Sequence, residues 1–288
     1  MDDYLVRAVD PDGQFRIMAA VTTNTVEEAR SRHDTWPIAS AALGRALTAG
    51  LLLGASLKGS DLLTLRIQGD GPLGGILVSA DGSGEVRGYV LEPHVDLPAG
   101  PAGKLPVGAA VGRQGLLHVT KDLGLKEPFT GSVELVSGEI GEDVAKYLLV
   151  SEQTPSAVSL GVLVGPDARV KASGGLLVQL FPEAAEDALA RLEAGFAVLP
   201  PISSLVDQGL TPEEIMLKAV NGLPLRFLKR NPVRFACRCS TEKTREILAS
   251  LTKEELASLL QEQGHAEVRC HFCGEKYHFY PKDLTDVV

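Results

Sequence analysis

The side chains best equipped for chemistry in this chain are its four cysteines, which stand as Cys237-Arg238-Cys239 and Cys270-His271-Phe272-Cys273 with thirty residues between the pairs. The 236 residues before the first contain none. Two close-spaced thiol pairs brought together make a tetrahedral set of soft ligands, the donor set with which proteins hold structural zinc. The spacing therefore predicts one Zn2+ per chain, in the reduced state, on Cys237, Cys239, Cys270 and Cys273. His265, His271 and His278 lie nearby, but four thiolates already complete a tetrahedron, so these imidazoles are expected to face solvent or stand behind the ligands.

Such a site is also open to oxidation, which removes thiolate ligands, and each cysteine has a neighbour two or three positions away with which to bridge. A Cys-x-Cys bridge closes a tight ring far from relaxed disulfide geometry and should be readily reduced again. The cluster thus describes a reversible switch between a reduced, metallated, folded state and an oxidised, metal-free, loose one.

The elements that must position the thiols are short. Val233 to Cys237 reads as a strand delivering the first pair, Ser240 can cap a helix over Thr241 to Ser250, and Thr252 with Glu255 can cap another over Lys253 to Gln263, ended by Gly264. Val268 to Cys270 and Tyr277 to Tyr280 read as a hairpin with Cys270 and Cys273 at its turn. A module over 233–288 is at the length where an apolar core alone is marginal, and structural zinc contributes on the order of 10 to 16 kcal/mol in small modules.

The rest of the chain reads as a larger α+β domain over 1–181. An opening hairpin turns at Asp10-Pro11-Asp12-Gly13, followed by helical spacing from Thr25 and by a long apolar helix after Trp36-Pro37. Strands are expected at Leu62 to Gln68, Gly75 to Ala80, Glu85 to Leu91, Gly115 to Thr120, Gly131 to Val136, Ser156 to Val164 and Val170 to Phe181, with a helix over Glu142 to Glu152. Between the two domains, 182–232 reads as a helical linker of short amphipathic helices at Glu183 to Ala194, at Ile202 to Gln208, and from the Thr211-Pro212-Glu213-Glu214 capping box. Helices this short persist only when docked, so the linker depends on its neighbours.

Several function classes are disfavoured. Gly69-Asp70-Gly71-Pro72-Leu73-Gly74 matches GxGxxG, but a strand rather than a helix follows, so it reads as a glycine hairpin and not a dinucleotide site. Ile38 to Leu57 is apolar enough to raise a membrane span, yet Arg45 within it and its Ala/Gly richness favour a buried core helix. A net charge of −9 opposes broad nucleic-acid or anionic-membrane binding. The acidic Met1-Asp2-Asp3-Tyr4 start lacks a secretory pattern, which makes the cytoplasm the expected setting. No G-x-S-x-G, HExxH or Walker loop is present, which disfavours a hydrolase, and the chain is expected not to be an enzyme.

Phe-x-Cys-x-Cys-Ser at Phe235 to Ser240 and Cys-x-Phe-Cys at Cys270 to Cys273 resemble the redox-regulated heat shock protein thirty-three family. Val150-Ser151-Glu152-Gln153-Thr154-Pro155-Ser156-Ala157, Gly69-Asp70-Gly71-Pro72 and Ala41-Ala42-Leu43-Gly44-Arg45 extend the likeness along the chain in the same order. The resemblance implies a cytoplasmic, ATP-independent holdase that binds unfolding clients under oxidative stress and is inactive while reduced and zinc-bound. It further implies that oxidation pairs Cys237 with Cys239 and Cys270 with Cys273, releases zinc and unfolds the linker, and that the active form is a homodimer.

Two other readings compete. A zinc-ribbon nucleic-acid binder would use Arg226, Lys229, Arg230, Arg234, Arg238, Lys243 and Arg245 with Phe227 and Phe235 as stacking platforms, against the overall charge. A thiol-disulfide oxidoreductase would use Cys270 and Cys273 as its dithiol, without the βαβ context such enzymes have.

Overall fold

Alternating apolar and polar residues build β1 (Tyr4–Val9) and β2 (Phe15–Val21), joined by a turn in which Asp10 accepts hydrogen bonds from the Asp12 and Gln14 amides. The computed structural model describes residues 2–100, 103–252, 255–256, 258, 260–261 and 264–284, and the chain forms two units, Met1–Phe235 and Ala236–Val288.

In the first unit the hairpin leads into α1 (Thr23–His33) and α2 (Pro37–Gly54). A meander of β3 (Leu62–Gln68), β4 (Ile76–Asp81) and β5 (Glu85–Val90) follows, then the short α3 (Val107–Val111), β6 (Leu116–Asp122) and β7 (Phe129–Glu134). Next come α4 (Gly141–Val150), β8 (Ser156–Val164) and β9 (Val170–Leu180). Three helices, α5 (Glu186–Ala197), α6 (Ile202–Asp207) and α7 (Pro212–Ala219), precede β10 (Arg226–Pro232) and β11 (Arg234–Phe235). The strands form a five-stranded antiparallel sheet in the order β10-β1-β2-β9-β8 and a six-stranded sheet in the order β11-β5-β4-β3-β6-β7, in which only β11 runs parallel to its neighbour.

The apolar run flagged as membrane-like is α2, long and apolar enough by composition to cross a bilayer, yet buried between the two sheets. Its small residues have a steric cause: a Cβ on Gly50 would stand 2.8 Å from Val78 Cγ1, so β4 reaches the helix only where a side chain is missing. The glycine loop at 69–74 runs into β4, as a hairpin should, and lies against α3, where a Cβ on Gly69 would stand 2.1 Å from the Val111 carbonyl oxygen. The fingerprint therefore serves backbone packing.

The five-stranded sheet is apolar on both faces. Leu5, Met18, Ala20 and Leu177 point toward α2, while the alternate residues Val6, Ala8, Phe15, Ile17, Leu176 and Val178 form a second core with α5, α6 and α7. Leu192, Ile202, Leu205, Ile215 and Met216 seal that face, and Phe196 and Leu199 pack at its margin. Thr211 and Glu214 make the expected capping box on α7. The segment 182–232 is not helical throughout: it ends in β10, an edge strand on β1 whose charged sequence concealed its pairing. Tyr4 donates to Glu213 on α7 at 2.9 Å and Arg230 on β10 pairs with the same carboxylate, which pins α7 to the hairpin.

The second unit holds α8 (Thr241–Leu248), capped by Ser240 through the Lys243 amide, and a hairpin of β12 (Ala266–Arg269) and β13 (Lys276–Phe279). Thr252 and Glu255 make their capping box, but parts of the helix expected over Lys253 to Gln263 lie outside the described residues. Among those described, Leu248, Leu256, Ala266, Phe279 and Leu284 form its small core.

Candidate metal centre

Cys237 and Cys239 follow β11 in the chain, and Cys270 and Cys273 occupy the turn between β12 and β13. That turn is set by backbone bonds: the Cys270 amide donates to the Glu275 carbonyl at 2.9 Å and the Gly274 amide to the Cys270 carbonyl at 2.8 Å. Gly274 has φ +73°, a left-handed conformation that glycine adopts without steric cost, which lets the chain reverse immediately after the last cysteine.

The tertiary structure brings all four sulfurs together. Cys237 Sγ lies 3.7 Å from Cys270 Sγ and Cys239 Sγ lies 3.4 Å from Cys273 Sγ, and all four atoms fall within 4.8 Å of one another. Four thiolates at about 2.3 Å from a central zinc would stand about 3.8 Å apart at the corners of a tetrahedron, so spacing and donor type both fit a metal ion. Both of these approaches run between the two pairs, as in a cage that each segment half encloses.

Burial, joined by contacts with neighbouring thiols, holds the Cys270 and Cys273 thiols above the ordinary cysteine range.

One residue behind the sulfurs was missed from the sequence. The Tyr277 hydroxyl donates to Cys239 Sγ at 3.1 Å, a contact that raises its own ionisation above the ordinary tyrosine value. Its signal was the strand period: Tyr277 and Phe279 share the inner face of β13, whereas Lys276 and His278 share the outer one. On that outer face His278 stands near Glu267 and His265, with the two imidazole centroids 5.1 Å apart, and His271 is exposed at the turn. The imidazoles are thus placed as expected.

The basic run is partly committed within the first unit, because Arg230 pairs with Glu213 and Arg234 with Glu85. Phe235 packs at the edge of the main core beside His33, under the Arg32 guanidinium, which removes it as a stacking platform.

Comparison with known proteins agrees along the whole chain. The Hsp33 protein family model matches residues 3–280. The 33 kDa chaperonin of Desulforamulus reducens is 60% identical over 288 residues, covering 100% of this chain and 98% of the relative, and that of a Geobacillus species is 50% identical over 287 residues, covering 100% and 97%. The crystal structure of the 33 kDa chaperonin (heat shock protein 33 homolog) of Thermotoga maritima superposes with a TM-score of 0.92 at 36% identity, covering 99% of this chain and 97% of that one. With its thiols gathered beyond an α+β unit, this chain belongs to the Hsp33 family of chaperonins.

Proposed function

We propose that this protein is a redox-regulated, ATP-independent holdase that captures unfolding proteins and keeps them from aggregating under oxidative stress, with no enzymatic turnover. The observation that carries the reading is the gathering of Cys237, Cys239, Cys270 and Cys273 within 4.8 Å in a unit with a small apolar core. Zinc is the ion that best matches four thiolates, and when bound it would hold them ionised and cross-link the two segments.

In this reading two equivalents of hydrogen peroxide each take two electrons from a thiolate pair and two protons from solvent, forming one disulfide and two waters per pair as the metal is released. Cys237 bridges Cys239 and Cys270 bridges Cys273, a connectivity that rests on the family resemblance. Loss of the four-ligand set leaves the second unit only its small core, too little to stay folded. Disorder starting two residues after β11 would spread back into 182–232. Undocking α5 to α7 would uncover the sheet face formed by Val6, Phe15, Ile17, Leu176 and Val178, an apolar surface suited to unfolded chains. The active form is a homodimer in the cytoplasm, acting on proteins rather than nucleic acid or membrane.

The test follows aggregation of a thermally unfolding client by light scattering, with this protein reduced and zinc-loaded or treated with peroxide at mild warmth. Suppression by the oxidised form alone is expected. No suppression in either state, with zinc retained throughout, would reduce the cluster to a structural cross-link.

A further inference from the structure

The five-stranded sheet ends at β8, a nine-residue edge strand that lies along the floor of an open trough of about 850 Å³. The hydrogen-bond parity of that edge follows from the register. The Leu180 amide donates to the Pro155 carbonyl at 3.0 Å, and Ser156 stands opposite Gln179. Bonded pairs in an antiparallel ladder alternate, so β8 bonds β9 through Ala157, Ser159, Gly161 and Leu163. The N–H and C=O groups of Val158, Leu160 and Val162 therefore point away from β9; those of Leu160 and Val162 face the trough, while the Val158 carbonyl lies against the start of α4, where a Cβ on Gly141 would stand 3.5 Å from its oxygen.

Both sides of the trough are walled. Pro37, Ala41 and Arg45 of α2 line one side, and Pro201 and Ser203 at the start of α6 line the other. The α6 wall sits close: a Cβ on Gly161 would stand 2.5 Å from the Ser203 amide nitrogen. Arg45 pairs with Glu139 at 2.6 Å, Lys104 approaches the same carboxylate at 3.5 Å, and Arg45 Nε is buried without a hydrogen-bond partner. Beside them Ile140 is held at φ +72°, a conformation costly for a β-branched residue, with its amide bonded to the buried Asp143.

We propose that this trough binds one extended segment of an unfolded polypeptide, which adds to β8 as a sixth strand of the sheet. The inference rests on the chaperone reading and gives it a site of capture. Leu160 and Val162 each offer both a donor and an acceptor to any extended backbone whatever its sequence, and the partly buried Val158, Leu160 and Val162 supply apolar contact for its side chains. A second copy of this chain fits poorly, because its own β8 is equally sunken and two recessed edges cannot approach to the roughly 4.8 Å that strand pairing requires. A folded partner meets the same walls. The α6 wall belongs to the segment proposed to undock, so oxidation would widen the trough as it activates the protein.

The probe is reduced, carboxymethylated α-lactalbumin, a permanently unfolded chain, added to the peroxide-treated full-length protein. Residue-resolved hydrogen exchange should slow about tenfold or more at the Leu160 and Val162 amides on binding. Leu160→Pro, which deletes one outward donor, should weaken binding about fivefold, whereas Leu160→Val, which keeps it, should change binding less than about twofold. Should the proline variant fail to fold, exchange in the unaltered protein decides. Client binding with unchanged exchange at these two amides overturns the trough and leaves the chaperone reading standing. Protection that appears without client, rises with protein concentration and accompanies dimers in sedimentation overturns it in favour of an interface between copies. Absence of client binding in every redox state overturns both.

Discussion

The two units of this chain are stabilised in different ways. The first buries α2 between two sheets and closes the outer face of one of them with α5 to α7, so its stability is distributed over dozens of apolar side chains. The second, among its described residues, buries Leu248, Leu256, Ala266, Phe279 and Leu284, and gathers four thiols beside them. Distributed burial is insensitive to any one chemical event. Under the proposed function, the unit with the smaller described core and the gathered thiols is the one that a change in their oxidation state would undo.

The largest expected effect breaks the contrast at the thiols. Cys270→Ser, or a strong chelator, should remove a stabilisation on the order of 10 kcal/mol from the second unit and unfold it, while the first keeps its secondary structure. Hydrogen exchange resolved along the chain would check this, with fast exchange beyond residue 236 and protection in α2. Slow exchange in β12 and β13 after metal removal would mean that the small core suffices.

A smaller effect is expected at the boundary between the two modes. Leu192→Ala should cost about 2 to 4 kcal/mol by opening a cavity between α5 and the sheet. Partial undocking of the helices should then raise binding of a hydrophobic dye in the reduced protein. A loss of stability without any rise in dye binding would show that the helices unfold only together with the sheet.

The smallest effect lies in the electrostatics of the first unit. Burial raises the Glu139 carboxyl, but the Arg45 hydrogen bond and charge, with help from the Gly108 amide and Lys104, outweigh it and hold the group below its ordinary value of 4.5. A carboxylate favoured in the folded state adds stability at higher pH that is lost as pH falls below 4.5 through the folded-state value. Thermal unfolding followed from pH 6 to pH 3 should therefore fall less steeply in Glu139→Gln than in the unaltered protein. Equal slopes would show that the pair with Arg45 contributes nothing to acid sensitivity.

Much of this was legible in the sequence. Strand alternation, the capping box at Thr211 and Glu214, and the caps at Ser240 and Thr252 are local signals, and each is found in place. β10 escaped because Arg226-Phe-Leu-Lys-Arg-Asn-Pro is a largely exposed edge strand, which has no inward face to impose a period. The short α3 escaped because its five residues cannot establish a helical repeat. Tyr277 was visible as a strand residue, but its bond to Cys239 joins residues 38 positions apart and depends on how the two cysteine segments meet.

The sequence by itself determined the donor set, because thiol chemistry and the spacing of Cys237, Cys239, Cys270 and Cys273 are covalent facts. It also favoured burial of Pro37–Gly54 within the protein over a membrane span, because Arg45 interrupts the apolar run and its Ala/Gly richness suits close packing. Only the tertiary structure decided that both faces of the five-stranded sheet are covered, that β8 is left as a walled edge, and that a tyrosine hydroxyl stands behind Cys239. Those features are made by contacts between segments far apart in the chain, and a local pattern of residue types specifies which face is apolar without specifying what will lie against it.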